Sequence, residues 1–107
     1  MKKIYTGKPW ETKAPLTPGI IIEAKKLLFI SGVTARNSNG NVVGKGDIKV
    51  QVKKVCENMK NILEKSGATF NDIVKINIYV TNMEEYTDNA EKIVLECFNR
   101  KKPASTL

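Results

Sequence analysis

Gly67-Ala68-Thr69-Phe70-Asn71-Asp72-Ile73-Val74-Lys75-Ile76-Asn77-Ile78-Tyr79-Val80-Thr81-Asn82-Met83 is the stretch that decides the fold of this chain. It strings together a helix stop, a loop, an alternating strand and a new helix start. Gly67 accepts the left-handed conformation that closes a preceding helix. Val74, Ile76, Ile78 and Val80 then alternate with Lys75, Asn77 and Tyr79, which gives a strand one apolar and one half-polar face. Asn82, with Glu85 three residues later, reads as a capping box that opens the next helix.

Upstream of this stretch, Asp47 offers a carboxylate to the free N–H groups of a helix start. Ile48, Val52, Val55, Met59 and Ile62 recur at intervals of four and three, with Cys56 and Leu63 widening the stripe. Lys49, Lys53, Lys54, Glu57, Lys60 and Glu64 fall on the opposite face. Downstream, Tyr86, Ala90, Ile93 and Cys97 form a second stripe flanked by Val94 and Phe98. Arg100, Lys101 and Lys102 suit the negative C-terminal end of that helix, and Pro103 prevents its continuation. Ala104–Leu107 begins another strand.

Toward the N-terminus, residues 2–6 can form an edge strand. Residues 7–18 hold Pro9, Pro15 and Pro18, so the segment reads as irregular and extended. Gly19–Ala24 and Leu27–Ser31 read as a hairpin turning at Lys25-Lys26. Their nearly continuous apolarity predicts strands buried on both faces. Asn37–Asn41 is a turn cluster with an Asn-Gly pair, followed by a short strand at Val42-Val43. The order of elements predicts an α+β fold, a single mixed sheet with two helices on one face. Lys75, Asn77 and Tyr79 then lie on the face the helices leave bare, turned to solvent or to another subunit.

At 107 residues the chain reads as one domain spanning 1–107. With 41% hydrophobic and 27% charged residues it has the composition of an ordinary folded protein. No apolar run has the length of a membrane span, and Met1-Lys2-Lys3 is not followed by a signal-peptide core, so the expected location is cytoplasmic. The net charge of +7 raises the question of nucleic acid. The lysines are spread along the chain, however, and the aromatic residues do not interleave with a basic stripe, so a solvated surface is the favoured reading.

Histidine is absent. That excludes a Ser-His-Asp triad, a Cys-His dyad and histidine metal sites. Cys56 and Cys97 are the only thiols, too few for a structural zinc site. Both fall inside helical stripes and read as buried apolar cysteines. No metal and no cofactor is expected.

Several segments, in this order and at these spacings, resemble the Rid family, also called YjgF-like or L-PSP endoribonuclease-like. They are Leu28-Phe29-Ile30-Ser31-Gly32, Val33-Thr34-Ala35, Gly40-Asn41-Val42-Val43-Gly44, Glu57–Leu63, Asp72-Ile73-Val74-Lys75 and Lys102-Pro103-Ala104-Ser105-Thr106. Thr6-Gly7-Lys8-Pro9-Trp10-Glu11 resembles a subgroup with a Pro-Trp-Glu segment near its start. The resemblance runs from about Thr6 to Leu107. It implies a chorismate-mutase-like fold assembled as a homotrimer, with sheets facing inward, helices outward and three ligand clefts between neighbouring subunits.

In active members of the resembled family, an arginine of a Pro-Ala-Arg-Ser motif pairs with the substrate carboxylate, and a later glutamate helps position water. Here Ser105 stands at the arginine's position. The segment from Glu11 to Lys26 holds no counterpart of the family's site tyrosine, and the glutamate's stretch and the last family strands lie beyond Leu107. Losing a charge-assisted contact of this kind costs about 2–3 kcal/mol.

The resemblance implies an enamine or imine deaminase that releases a keto compound and ammonia in inter-subunit clefts. Ser31, Gly32, Ser105 and Thr106 are its substrate-binding candidates, and no catalytic residue is assigned. Without the arginine, a neutral or differently charged substrate is expected. The alternatives are a non-catalytic small-ligand-binding trimer and, ranked last, an L-PSP-type endoribonuclease. Without histidine, RNA cleavage would have to rest on Lys or carboxylate groups.

Overall fold

A computed structural model describes residues 1–99 and 101–107. In chain order the elements are strands β1 (Lys2–Ile4) and β2 (Gly19–Ile21), helix α1 (Ile48–Lys65), strand β3 (Lys75–Asn77), helices α2 (Met83–Asn89) and α3 (Glu91–Cys97), and strand β4 (Ala104–Thr106). The α+β class holds. The ladders form two pairs among the described residues, β1 antiparallel to β2 and β3 parallel to β4.

Helix α1 lies where its apolar period places it. The Asp47 carboxylate accepts from Lys49 N at 3.1 Å and Val50 N at 3.2 Å, satisfying two of the donors that a helix start leaves free. At the other end Gly67 adopts φ +78°. Ala68 N donates to Leu63 O at 2.8 Å and Gly67 N to Glu64 O at 3.1 Å, the paired bonds of a Schellman cap. Leu63 is buried, and Val52, Val55, Cys56 and Met59 are half-buried beside it. Ile62 belongs to the expected stripe by period but stays exposed, at the lip of a cleft described below. Gly44 is required sterically before this helix, because a Cβ there would sit 2.6 Å from Val50 Cγ1.

The alternating strand keeps its two faces. Ile76 and Ile78 turn toward Tyr86, Val94, Leu95 and Phe98 and line a small cavity with them. Lys75, Asn77 and Tyr79 are exposed on the bare face. Two further bonds extend the β3–β4 pairing, Ala104 N to Val74 O at 3.0 Å and Ile78 N to Thr106 O at 2.8 Å. Tyr86, Ala90 and Phe98 are buried, and the Phe98 ring meets Phe70 edge-on, 5.2 Å between centroids at 77°.

Three expectations are corrected. The hairpin between Gly19–Ala24 and Leu27–Ser31 does not form. Instead β2 pairs with β1, Ile20 opposite Lys3, while Leu27, Leu28 and Phe29 carry no ladder and are exposed, Phe29 by 87%. Two lysines at the turn lack the positive-φ residues that a tight hairpin favours, and Lys2–Ile4 supplies a competing partner. Val42-Val43 contributes only a single bridge, Val42 to Arg36.

The second helix, expected as one piece from Asn82, divides at Ala90 (φ −117°, ψ −26°) and ends at Cys97. Asn99 then adopts φ 49°, a conformation asparagine tolerates, and the helix has ended ahead of Lys101 and Lys102. Of the basic residues expected at its end, Arg100 lies outside the described residues. Lys101 is exposed, and Lys102 Nζ donates to Thr12 O at 2.9 Å. At Asn82 half of the capping box is present, with the carboxamide oxygen accepting from Glu85 N at 3.0 Å.

The proline-rich segment is pinned by two buried polar side chains. Glu11 accepts from Thr6 N at 2.9 Å, Thr6 Oγ1 at 2.7 Å and Lys8 N at 3.0 Å, which folds residues 6–11 around one carboxylate. The Thr17 hydroxyl donates to Lys102 O while Thr17 N donates to Pro103 O at 3.0 Å, tying this segment to the start of β4. No helix is long and apolar enough to cross a membrane among the described residues.

Candidate functional site

An open cleft of about 730 Å³ lies between residues 32–40 and one side of α1. Such volumes suit small ligands, whose clefts typically run to ~300–1,000 Å³. Gly32 stands at one border; Arg36, Lys54, Glu57, Asn58 and Asn61 supply its polar groups.

The wall opposite the helix is well fixed. Asn37 Oδ1 accepts from Asn39 N and Asn41 N, both at 3.0 Å, so the Asn-Gly turn is locked by an Asx-type bond pair. Arg36 Nη1 donates to Gly40 O at 2.7 Å across that turn. The Asn58 amide nitrogen reaches from α1 to Thr34 O at 3.0 Å and Arg36 O at 2.9 Å. Lys54 Nζ lies 3.2 Å from Glu57 Oε1, so these two charges offset each other. No ion pair joins Arg36 to a carboxylate among the described residues.

The four sequence candidates do not converge within one chain. Gly32 borders the cleft, and Ser31 beside it is exposed. Ser105 pairs with Ile76 in the β3–β4 register and shares the helix-side cavity of about 80 Å³ with Pro15, Leu16, Tyr86 and Phe98. Thr106 pairs with Asn77, on the bare face, where Lys75 Nζ donates to its hydroxyl. Sequence reading missed Arg36 and Asn58. The sequence clue was the Asn-Gly turn, across which Arg36 bridges to Val42.

The cysteines sit where an apolar reading puts them. Both are half-buried free thiols. Burial, then a hydrogen bond and a charge interaction with Cys97, push the Cys56 thiol well above the usual thiol range. Burial first, then Glu91 and Cys56, raise the Tyr86 hydroxyl to about 12. Neither group borders the cleft. No cluster of three or more potential metal ligands occurs among the described residues.

The chain resembles known proteins over most of its length. It is 37% identical to a RutC family protein of Pyrococcus abyssi over 95 residues, 86% of this chain and 74% of that one. A RutC family protein of Pyrococcus horikoshii is 37% identical over 83 residues, 78% of this chain and 65% of the relative. A crystal structure of a protein of unknown function of the conserved Rid protein family, YyfB from Yersinia pestis, superposes with a TM-score of 0.84. That superposition covers 99% of this chain and 80% of the other at 24% identity, a likeness of fold. The profile described as Endoribonuclease L-PSP matches residues 8–107, and the chain belongs to that family.

Proposed function

We propose that the chain acts as a homotrimer that hydrolyses reactive imines or enamines in clefts between subunits. One observation carries this reading: the apolar run Leu27-Leu28-Phe29 is uncovered and leads directly into Ser31-Gly32. A second subunit seated on that run removes apolar surface from water, at roughly 25 cal/mol per Å². It also places its own surface beside Ser31 and Gly32, so the site is completed by assembly. Exposed Tyr79, with Lys75, Asn77 and Thr106 on the bare strand face, supplies a second surface for the same packing.

The chemistry asks little of the protein. An imine carbon is already electrophilic; water adds to it, a proton passes to nitrogen, and ammonia leaves as the carbonyl forms. Hydrogen-bond donors that fix the substrate and exclude bulk water suffice to speed this. The Ser31 hydroxyl and the Gly32 backbone are open to an incoming ligand, as is Thr106. Ser105 contributes to the packing behind the strand.

The serine at position 105 favours a second reading, a trimer that binds a small ligand without turnover. Both are tested with imines generated from amino acids in situ, in competition with a chemical trap. Keto-acid release faster than in buffer supports the deaminase. No acceleration by a trimeric, folded protein replaces it with the binding reading. The ribonuclease sense of the family name ranks third; RNA binding that vanishes at moderate salt would mark only diffuse charge attraction.

A further inference from the structure

We infer that Cys56 and Cys97 form an oxidisable pair, which hydrogen peroxide closes into a disulfide that clamps α1 to α3. This is a modification site, apart from the cleft and independent of the imine chemistry.

Helix packing brings the two thiols together. Cys56 stands on the inward stripe of α1 with Val52, Val55 and Met59, all half-buried. Helix α3 packs on α1, and Cys97 is its last residue, half-buried beside the buried Phe98. The Cys56 thiol donates a hydrogen bond to Cys97, so the two sulfurs are already neighbours. A disulfide needs them at about 2.05 Å. The remaining approach falls on the end of a helix and not on its middle, since the chain leaves α3 after Cys97 and passes through Asn99 at φ 49°. These are the only two cysteines of the chain, and both are free. Within one chain the pair therefore has a single disulfide product.

The two sulfurs take different roles. A thiolate, not a thiol, attacks a peroxide. Burial first, and then Cys97, keep the proton on Cys56, which leaves the first attack to Cys97. The Cys97 sulfur takes one oxygen of the peroxide, the O–O bond breaks, and the second oxygen leaves as water. Cys97 is then a sulfenic acid. The Cys56 sulfur attacks it, the S–O bond breaks, and water departs with the Cys56 proton. Two thiols and one hydrogen peroxide give one disulfide and two waters, the sulfurs losing the two electrons that oxygen gains. The new bond closes a loop that holds β3 and α2, so it restrains the unfolded chain.

The test treats the reduced full chain with hydrogen peroxide, blocks any remaining thiols and maps the tryptic fragments by mass. Fragment 55–60 should be joined to fragment 93–100, and a reductant should separate them. The thermal midpoint of the oxidised chain should exceed that of Cys97→Ser treated alike by roughly 10 °C, and the difference should vanish on reduction. Should Cys97→Ser fail to fold, Cys97→Ala takes its place, and the cross-link in the unsubstituted chain decides by itself.

Survival of both thiols in the folded chain would overturn the inference and return the pair to an inert, apolar role. A sulfinic acid at Cys97 in place of the cross-link would show that Cys56 does not reach it. A bridge formed only between two chains, or a midpoint that does not rise, would equally remove the clamp.

Discussion

Asn58 donates from the middle of α1 to the carbonyls of both Thr34 and Arg36, at 3.0 and 2.9 Å. One side chain therefore joins the longest helix to the turn opposite it. Asn58→Ala should lower stability by about 1–2 kcal/mol in urea denaturation, since two carbonyls lose their partner. Asn58→Asp should cost more, because it sets a carboxylate against two carbonyl oxygens. Equal stability of all three proteins would show that water replaces the amide at no cost.

The Asp47 cap is a local and separable contribution. Asp47→Ala should destabilise the fold by ~1 kcal/mol, and Asp47→Asn by a smaller amount, because asparagine caps nearly as well. A midpoint shift in denaturant without a change of slope is the expected record.

Glu11 gives the fold an acid limb. The Thr6 hydroxyl is the largest influence; together with the backbone N–H groups of Lys8, Thr6 and Gly7 it outweighs burial and holds the carboxyl below its ordinary value of 4.5. A folded value below the unfolded one means stability that is complete above the ordinary glutamate range and lost as pH falls through the lowered value. Trp10, the only tryptophan, is adjacent and partly exposed, so its fluorescence should report this transition. In Glu11→Gln the acid transition of that signal should disappear; its persistence would assign it to another carboxylate.

Phe29 tests assembly. Being 87% exposed in the single chain, it contributes little to the stability of one subunit. Phe29→Glu should leave the far-ultraviolet circular dichroism unchanged and convert the proposed trimer to monomer in light scattering behind a sizing column. A trimer that survives this change was not built on the 27–29 run.

Phe98 anchors the interior. Phe98→Ala should cost about 3–5 kcal/mol, through the lost transfer of the ring and the cavity left beside Phe70. A domain of this size has only ~5–15 kcal/mol in total, so Phe98→Leu is the graded variant in which the loss can be measured.

What could be read from sequence was what is local. Asp47 and Gly67 bracket α1 because capping involves residues only a few positions apart. The alternation from Val74 to Val80 survives because strand faces follow from the backbone itself. Strand partners are a different matter. Gly19–Ile21 had two candidate neighbours of similar apolarity, and the choice of Lys2–Ile4 is a long-range competition that no local pattern encodes. The division at Ala90 is equally silent, since alanine is a strong helix former and only the packing of α2 and α3 on α1 redirects the chain there. Arg36 went unread as part of the cleft lining because that position depends on a helix whose contact, Asn58, is 22 positions away. Ser31, Gly32, Ser105 and Thr106 came from family likeness, and the single chain spreads them over three surfaces.

The Thr17 stitch has a kinetic meaning. Its hydroxyl meets a carbonyl 85 positions along the chain, and its amide meets the next one. Closing so long a loop carries an entropic cost that a single pair of bonds does not offset, so this contact forms after the helices have brought its halves together. The Thr17 amide should accordingly exchange its hydrogen only when the whole molecule opens. A threonine in an irregular, proline-rich segment thus becomes a reporter of global unfolding.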